Sequence, residues 1–194
     1  MKPKISIVIP FYFGMKDWQF FLTRCLESIE KQTFKDYEII LIKHSTMPVT
    51  SNRVIESAKG DIIKVLYVDD WLEDNNYLQT LYRAFEEGAT WVITSATTNS
   101  SPHVTNDMEA GNNKLGSPSA LAFFNQGKDN LLFDENLSWV LDIDLYKRML
   151  EKYGMPTILT NIKVGIGVGD HQMTNILTEE QKLKEFNYLK EKYE

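Results

Sequence analysis

Asp69 and Asp70 stand side by side in KVLYVDDWL, directly after an apolar run. Two adjacent carboxylates offer hard oxygen ligands to Mg²⁺ or Mn²⁺. At the carboxyl end of a buried strand they would face the crevice in which open α/β sheets bind their ligands. The same pair would also serve as a solvated turn or a helix N-cap. A second acidic pair, Asp142 and Asp144 in WVLDIDL, falls where a loop gives way to helical spacing. Acids at a helix start are favoured by the macrodipole, and residues two apart on a helix diverge, so only one of the two can face a given point. His171, in VGDHQMTN, adds a nitrogen donor in a loop, where a histidine is otherwise simply exposed. Trp71 and Trp139 flank the two acidic motifs, each either an apolar wall for a ligand or a core side chain.

These residues need elements to hold them. Residues 4–10 are a continuous β-branched run, as expected of a parallel strand buried on both faces. Residues 18–31 place Phe21, Leu22, Cys25, Leu26 and Ile29 at helical spacing. A second strand is expected at 37–42, then a short helix at 54–58 closed by Gly60. A third strand, 62–68, delivers Asp69 and Asp70. A helix at 75–88 and a strand at 90–95 follow. Residues 96–114, rich in Thr, Ser, Asn and Gly, read as a long loop of the functional kind. Beyond it lie a strand at 120–124, a helix at 139–153 ended by Gly154 and Pro156, and a strand at 156–163. A glycine-rich segment at 165–175 and a helix from about residue 179 complete the chain. Alternating strands and helices predict an α/β fold, a mostly parallel sheet with helices on both faces, in one domain spanning 1–194.

Composition narrows the function classes. The 194 residues are 43% hydrophobic and 25% charged, with a net charge of −6, an ordinary globular balance. A protein held on nucleic acid by phosphate contacts is usually basic on at least one face. Here lysines cluster only in the tail LKEFNYLKEKYE, which alternates in sign as a solvated helix does. Nucleic acid is therefore not an expected partner. No stretch reaches the roughly 20 apolar residues of a membrane span. The single cysteine, Cys25, precludes an intrachain disulfide and fits a cytoplasmic location.

The order and spacing of several segments resemble the family-2 inverting glycosyltransferases. SIVIPFY is similar to the family's opening strand and nucleotide-binding turn. CLESIEKQTFKDYEIILI resembles the helix and Gln-Thr turn that lead into its second strand. NRVIESAKGDIIKVLYVDDWL resembles the stretch ending at its metal motif, and GSPSALAFF its acceptor-side strand. FDENLSWVLDIDLYKRM looks like the segment with the catalytic base. About three quarters of the chain is covered. The resemblance implies a GT-A-like, Rossmann-like fold with a nucleotide-sugar-binding half at 1–95, an acceptor and catalytic half at 96–178, and a C-terminal helix at 179–194. It implies a nucleoside-diphosphate sugar as donor, a UDP-sugar first, and an acceptor hydroxyl on a glycan, lipid or other biomolecule. It further implies Mn²⁺ or Mg²⁺ as cofactor.

Carried over residue by residue, the resemblance makes Asp142 the base that takes the acceptor's proton, with Asp144 beside it as a support, a cap or part of a sugar wall. Asp69, Asp70 and His171 fall at metal or phosphate positions. Pro10 and Tyr12 end the first strand near the nucleotide, where Tyr12 either stacks on the base or packs in the core, and Asn52 is retained from the loop before the third strand. Departures bear on the donor. Tyr67 replaces the first acid of the family's Asp-x-Asp, which either weakens metal binding or sets the tyrosine against the sugar or ribose. Lys43 stands where an acid contacts uracil, and a lysine cannot accept from the base N–H. Lys43 then contacts a phosphate, or the base is held differently, or the donor is unusual. Arg53 either supplies charge to the diphosphate or sits on the surface. Two other classes remain as alternatives. One is an inactive nucleotide-binding module on this fold, favoured by the losses at 43, 51 and 67. The other is a nucleotidyltransferase, disfavoured by the lack of a Gly-rich phosphate loop.

Overall fold

The computed structural model describes residues 2–11, 15–43, 46–105 and 113–193. The first strand, β1 (Ile5–Phe11), is buried along its whole length, as its unbroken apolar run requires. Helix α1 (Trp18–Glu30) turns Cys25, Ser28 and Ile29 inward. Strand β2 (Tyr37–Lys43) pairs parallel with β1 from Ile5↔Tyr37 to Phe11↔Lys43. Helix α2 (Met47–Glu56) is twice the length that residues 54–58 suggest, because Pro48 opens a helix rather than breaking one. Strand β3 (Ile62–Val65) is shorter than the apolar run 62–68, and β4 (Trp71–Leu72) is a two-residue strand that the sequence does not announce.

Helix α3 (Tyr77–Glu86) and strand β5 (Trp91–Ala96) follow as expected. A 3₁₀ turn at Pro118–Ala120 leads into β6 (Leu121–Phe124). Helix α4 (Leu141–Tyr153) carries both Asp142 and Asp144 in its first turn. Strand β7 (Thr157–Gly165), the short helix α5 (Met173–Ile176) and helix α6 (Glu179–Tyr193) end the chain. Among the described residues no helix is long and apolar enough to cross a membrane.

The seven strands form one sheet in the order β2-β1-β3-β6-β5-β7-β4. Strands β2, β1, β3, β5 and β7 share a direction, while β6 and β4 oppose it. The sheet is thus mostly parallel, and the architecture is GT-A-like. The insertion of β6 between β3 and β5 brings Ser119, just before it, against the end of β3. Within the first layer Cys25 is fully buried, and that burial pushes its thiol up to about 12. It is a packing residue with no thiolate at neutral pH.

Candidate active site

The chain leaves β3 at Val65 and makes a tight turn in which the Asp70 N–H donates to the Tyr67 carbonyl at 2.9 Å. Three neighbours hold that turn. The Tyr67 N–H donates to Ser119 Oγ at 2.8 Å. Arg24 Nη2 donates to the Asp69 carbonyl at 2.6 Å, with its guanidinium 3.8 Å above the Trp71 ring. The Gly167 N–H donates to Asp70 Oδ1 at 2.8 Å. Gly167 must be glycine for a steric reason: a Cβ there would be driven into the Asp69 backbone. Gly165 is equally constrained, since its Cβ would enter the Trp71 ring.

The turn gives its two carboxylates different roles. Asp69 keeps a side chain 15% exposed and meets His171 Nε2 through Oδ2 at 3.0 Å. That hydrogen bond raises the His171 pKa. Asp70 is buried, committed to Gly167, and its carboxyl is pushed up to about 8 by burial and by the charge of Asp69. Beneath it lies Lys64, wholly buried in β3, bonded to the Ser119 carbonyl and 5.0 Å from the Tyr77 ring centroid. Burial lowers Lys64 to about 7 against the pull of Asp70. For both groups desolvation outweighs mutual attraction.

Asp142 occupies the first turn of α4. Its Oδ1 accepts from the Ile143 N–H at 2.9 Å and its Oδ2 from Asn113 Nδ2 at 2.7 Å. Burial nevertheless raises its carboxyl to about 6, the range in which a carboxylate can act as a base near neutral pH. Tyr67 connects the two acidic regions. Its hydroxyl lies 3.4 Å from Ser51 Oγ, and it feels the charges of Asp142, Asp70 and Asp69. Burial pushes its own pKa upward.

Asp144 points elsewhere. It is completely buried, its Oδ2 2.5 Å from Arg148 Nη2 and its Oδ1 2.7 Å from both Lys192 Nζ and Tyr193 Oη. Through these contacts it ties α6 to α4, and with a side chain 0% exposed it presents no surface to a sugar. Trp71 lies under Arg24 and against Gly165, which makes it a packing residue. Trp139 is half-buried and donates Nε1–H to Thr174 Oγ1 at 3.2 Å.

Asn52 is turned into the protein. It is 4% exposed and clamps residue 133, accepting from the Phe133 N–H at 2.8 Å and donating to its carbonyl at 3.0 Å. Arg53 is exposed in the last turn of α2. Pro10 is buried in β1, and Lys43 is exposed at the end of β2 opposite Phe11. Tyr12 lies outside the described residues.

Asn113, Ser119, Gly167 and Arg24 were not legible as site residues. Each acts through one hydrogen bond to a partner 29 to 97 positions away, for which a single sequence carries no signal.

Asp69 and His171 supply two donors that converge. Among the described residues no group of three or more His, Cys, Asp or Glu side chains forms a complete metal cage. Mg²⁺ is commonly held by only one or two protein carboxylates, its remaining ligands being water and substrate phosphate.

No family model and no curated protein matches this sequence. Solved structures do match in shape. The chain superposes on S. aureus TarS residues 1–349 in complex with UDP-GlcNAc with a TM-score of 0.72, at 14% identity, over 96% of this chain and 65% of that one. The UDP complex of the same fragment gives 0.66 at 14% identity, over 95% and 70%. TarS itself gives 0.65 at 13% identity, over 95% of this chain and 43% of TarS. The chain therefore spans under half the length of TarS, and at these identities the likeness establishes a shared fold.

Proposed function

We propose that the chain is an inverting nucleotide-sugar glycosyltransferase of the family-2 kind. The observation that carries this reading is Asp142: a half-buried carboxylate at a helix start, raised to about 6 by desolvation, whose charge reaches Tyr67 together with those of Asp70 and Asp69. The fold is shared with TarS, whose structures hold UDP and UDP-GlcNAc. In the proposed reaction the acceptor hydroxyl gives its proton to Asp142 as its oxygen attacks the anomeric carbon. The bond from that carbon to the diphosphate oxygen breaks, and the nucleoside diphosphate leaves. A carboxylate has about four lone-pair sites, so Asp142 can hold Asn113 and the Ile143 N–H and still accept a proton.

Asp69 and His171 would hold Mn²⁺ or Mg²⁺, with Asp70 bracing the turn behind them. When bound, the cation would neutralise charge on the leaving diphosphate. The acceptor would be a hydroxyl of a glycan, a lipid or another biomolecule. The first test is release of UDP from UDP-GlcNAc and other UDP-sugars. A wild type that binds UDP but releases and transfers nothing from any donor would favour the inactive-module reading.

A second prediction concerns the cation. Mn²⁺ is expected to tighten UDP binding in calorimetry at pH 8, and Asp69→Ala to abolish that gain. Because hydrogen bonding to Asp69 raises His171, the imidazole must lose a proton before it can coordinate. The Mn²⁺ gain should therefore shrink as pH falls through the His171 value, which lies above 6.5. For stability the sign is opposite. The His171–Asp69 contact is fully present below the unfolded histidine value and is lost as pH rises through the folded one. Equal UDP affinity with Mn²⁺ and with EDTA at pH 8 would rule the cation out.

A further inference from the structure

Helix α6 reads in the sequence as a solvated, sign-alternating tail, yet one of its acids reaches back to the start of α4. Glu185 Oε1 accepts from the Ser138 N–H at 3.0 Å. Its Oε2 accepts from the Trp139 N–H at 2.8 Å and from the Val140 N–H at 3.2 Å. Val140 is the N-cap of α4, and its own side chain cannot cap. The N–H groups of residues 138–140 lie just ahead of the helix, where backbone donors taken out of water need a partner, and a carboxylate from a helix 45 residues downstream supplies it. Two residues further on, Asp142 takes its hydrogen bond from Asn113.

We infer that Glu185 is a positioning residue for Asp142: by gathering the three N–H groups of residues 138–140 it sets where the first turn of α4 begins and so aims the Asp142 carboxylate. This rests on the reading of Asp142 as the base. The rest of α6 is fastened independently. Tyr188 Oη donates to Asp134 Oδ2 at 2.9 Å, and Lys192 joins Asp134 to Asp144. Loss of Glu185 therefore frees the α4 start without removing the helix that covers it. The groups facing Asp142 are Tyr67 from the β3–β4 turn and Tyr146 from α4, with Asn113 as its side-chain donor. Tyr67 is held by its own turn, so how Asp142 meets it depends on the start of α4 staying put.

The test is UDP release from UDP-GlcNAc as a function of pH and donor concentration, in wild type, Glu185→Ala, Glu185→Asp, Tyr188→Phe and Asp142→Asn. Displacing a reacting group by about 1 Å can cost roughly 100-fold. Glu185→Ala is expected to lower kcat about 10- to 100-fold with donor KM within about twofold. Its acid limb, near pH 6 in the wild type, should move toward the ordinary carboxylate value of about 4 as Asp142 meets water. Glu185→Asp keeps the charge but withdraws it by one methylene, and should show the same changes in smaller measure. Tyr188→Phe, which loosens the same helix elsewhere, should keep the wild-type limb. Should Glu185→Ala fail to fold, Glu185→Asp decides. Wild-type turnover and an unmoved limb in the folded Glu185 variants would overturn the proposal. So would a loss of turnover that Tyr188→Phe matches with the limb unmoved. An inactive Asp142→Asn beside fully active Glu185 variants removes only the positioning role, whereas an active Asp142→Asn removes the base itself.

Discussion

Asp142→Asn is expected to lower turnover by about 10² to 10⁴ while leaving UDP affinity nearly unchanged. A base is needed mainly as charge develops in the transition state, so its loss appears in kcat and not in ground-state binding. The substitution is close to isosteric. The oxygen of asparagine can keep one of the two N–H donors that Asp142 now accepts, from Ile143 or from Asn113. Stability should move the other way. Burial holds the folded Asp142 pKa near 6, above its unfolded value. Its contribution is therefore most favourable below about pH 4 and is lost as pH rises through 6. Removing the charge should raise stability at pH 8 by on the order of 2 kcal/mol and change little at pH 4. A mutant that is inactive and yet melts higher at pH 8 than at pH 4, relative to wild type, would carry both signatures. An active Asp142→Asn would place the base elsewhere.

The second large effect is on folding. Asp144→Ala is expected to cost about 3 kcal/mol or more of unfolding free energy. The carboxylate is wholly buried between Arg148 and Lys192, with Tyr193 as a third donor. Deleting one partner of such a cluster leaves partly buried cations without their counter-charge, and that cost exceeds what the cluster adds over an apolar core. Arg148 also donates to the Leu132 carbonyl at 2.7 Å, and Lys192 also meets Asp134 at 2.6 Å. Both retain a partner, which keeps the loss finite. Denaturant titration reads the effect. Asp144→Asn should lose less, and once folded should retain turnover within about tenfold, far from the loss at Asp142. A stability change under about 0.5 kcal/mol would mean the cluster is no more than a surface contact.

The parts of the structure that the sequence discloses are those written in local periodicity. The unbroken apolar run of β1, the spacing of α1 and α3 and the Gly154 stop after α4 are each read within a dozen residues. What it conceals has specific causes. Pro48 looks like a breaker but opens α2, because the first turn of a helix needs no N–H there. The direction of β6 cannot be read from LAFF, whose burial is the same whichever way it runs. In the site, Asp69 and Asp142 stand out by type and by family resemblance. Their supports do not. Asn113 lies in a polar loop, Gly167 among other glycines, and Glu185 in a tail of alternating charge, and each is defined only by the distant backbone or side-chain atom it meets. What commits Asp70 to the turn and leaves Asp69 the more open of the pair is one N–H of Gly167, 97 positions further on, which no local pattern signals.

The place of β6 also governs how the chain can come together. Strands β3 and β5 belong to the first half, but they are not neighbours, and the slot between them is filled by residues 121–124. A nascent chain that has emerged only as far as β5 holds two apolar strands with open edges and nothing to join them. Unpaired edges of that kind invite pairing with other chains, and long-range pairing of this sort is slow to form. Residue 95 is thus no boundary between folding units. A fragment ending at residue 95 should be captured by chaperones or aggregate, and co-expression with the remainder should rescue it only by supplying the missing middle strand.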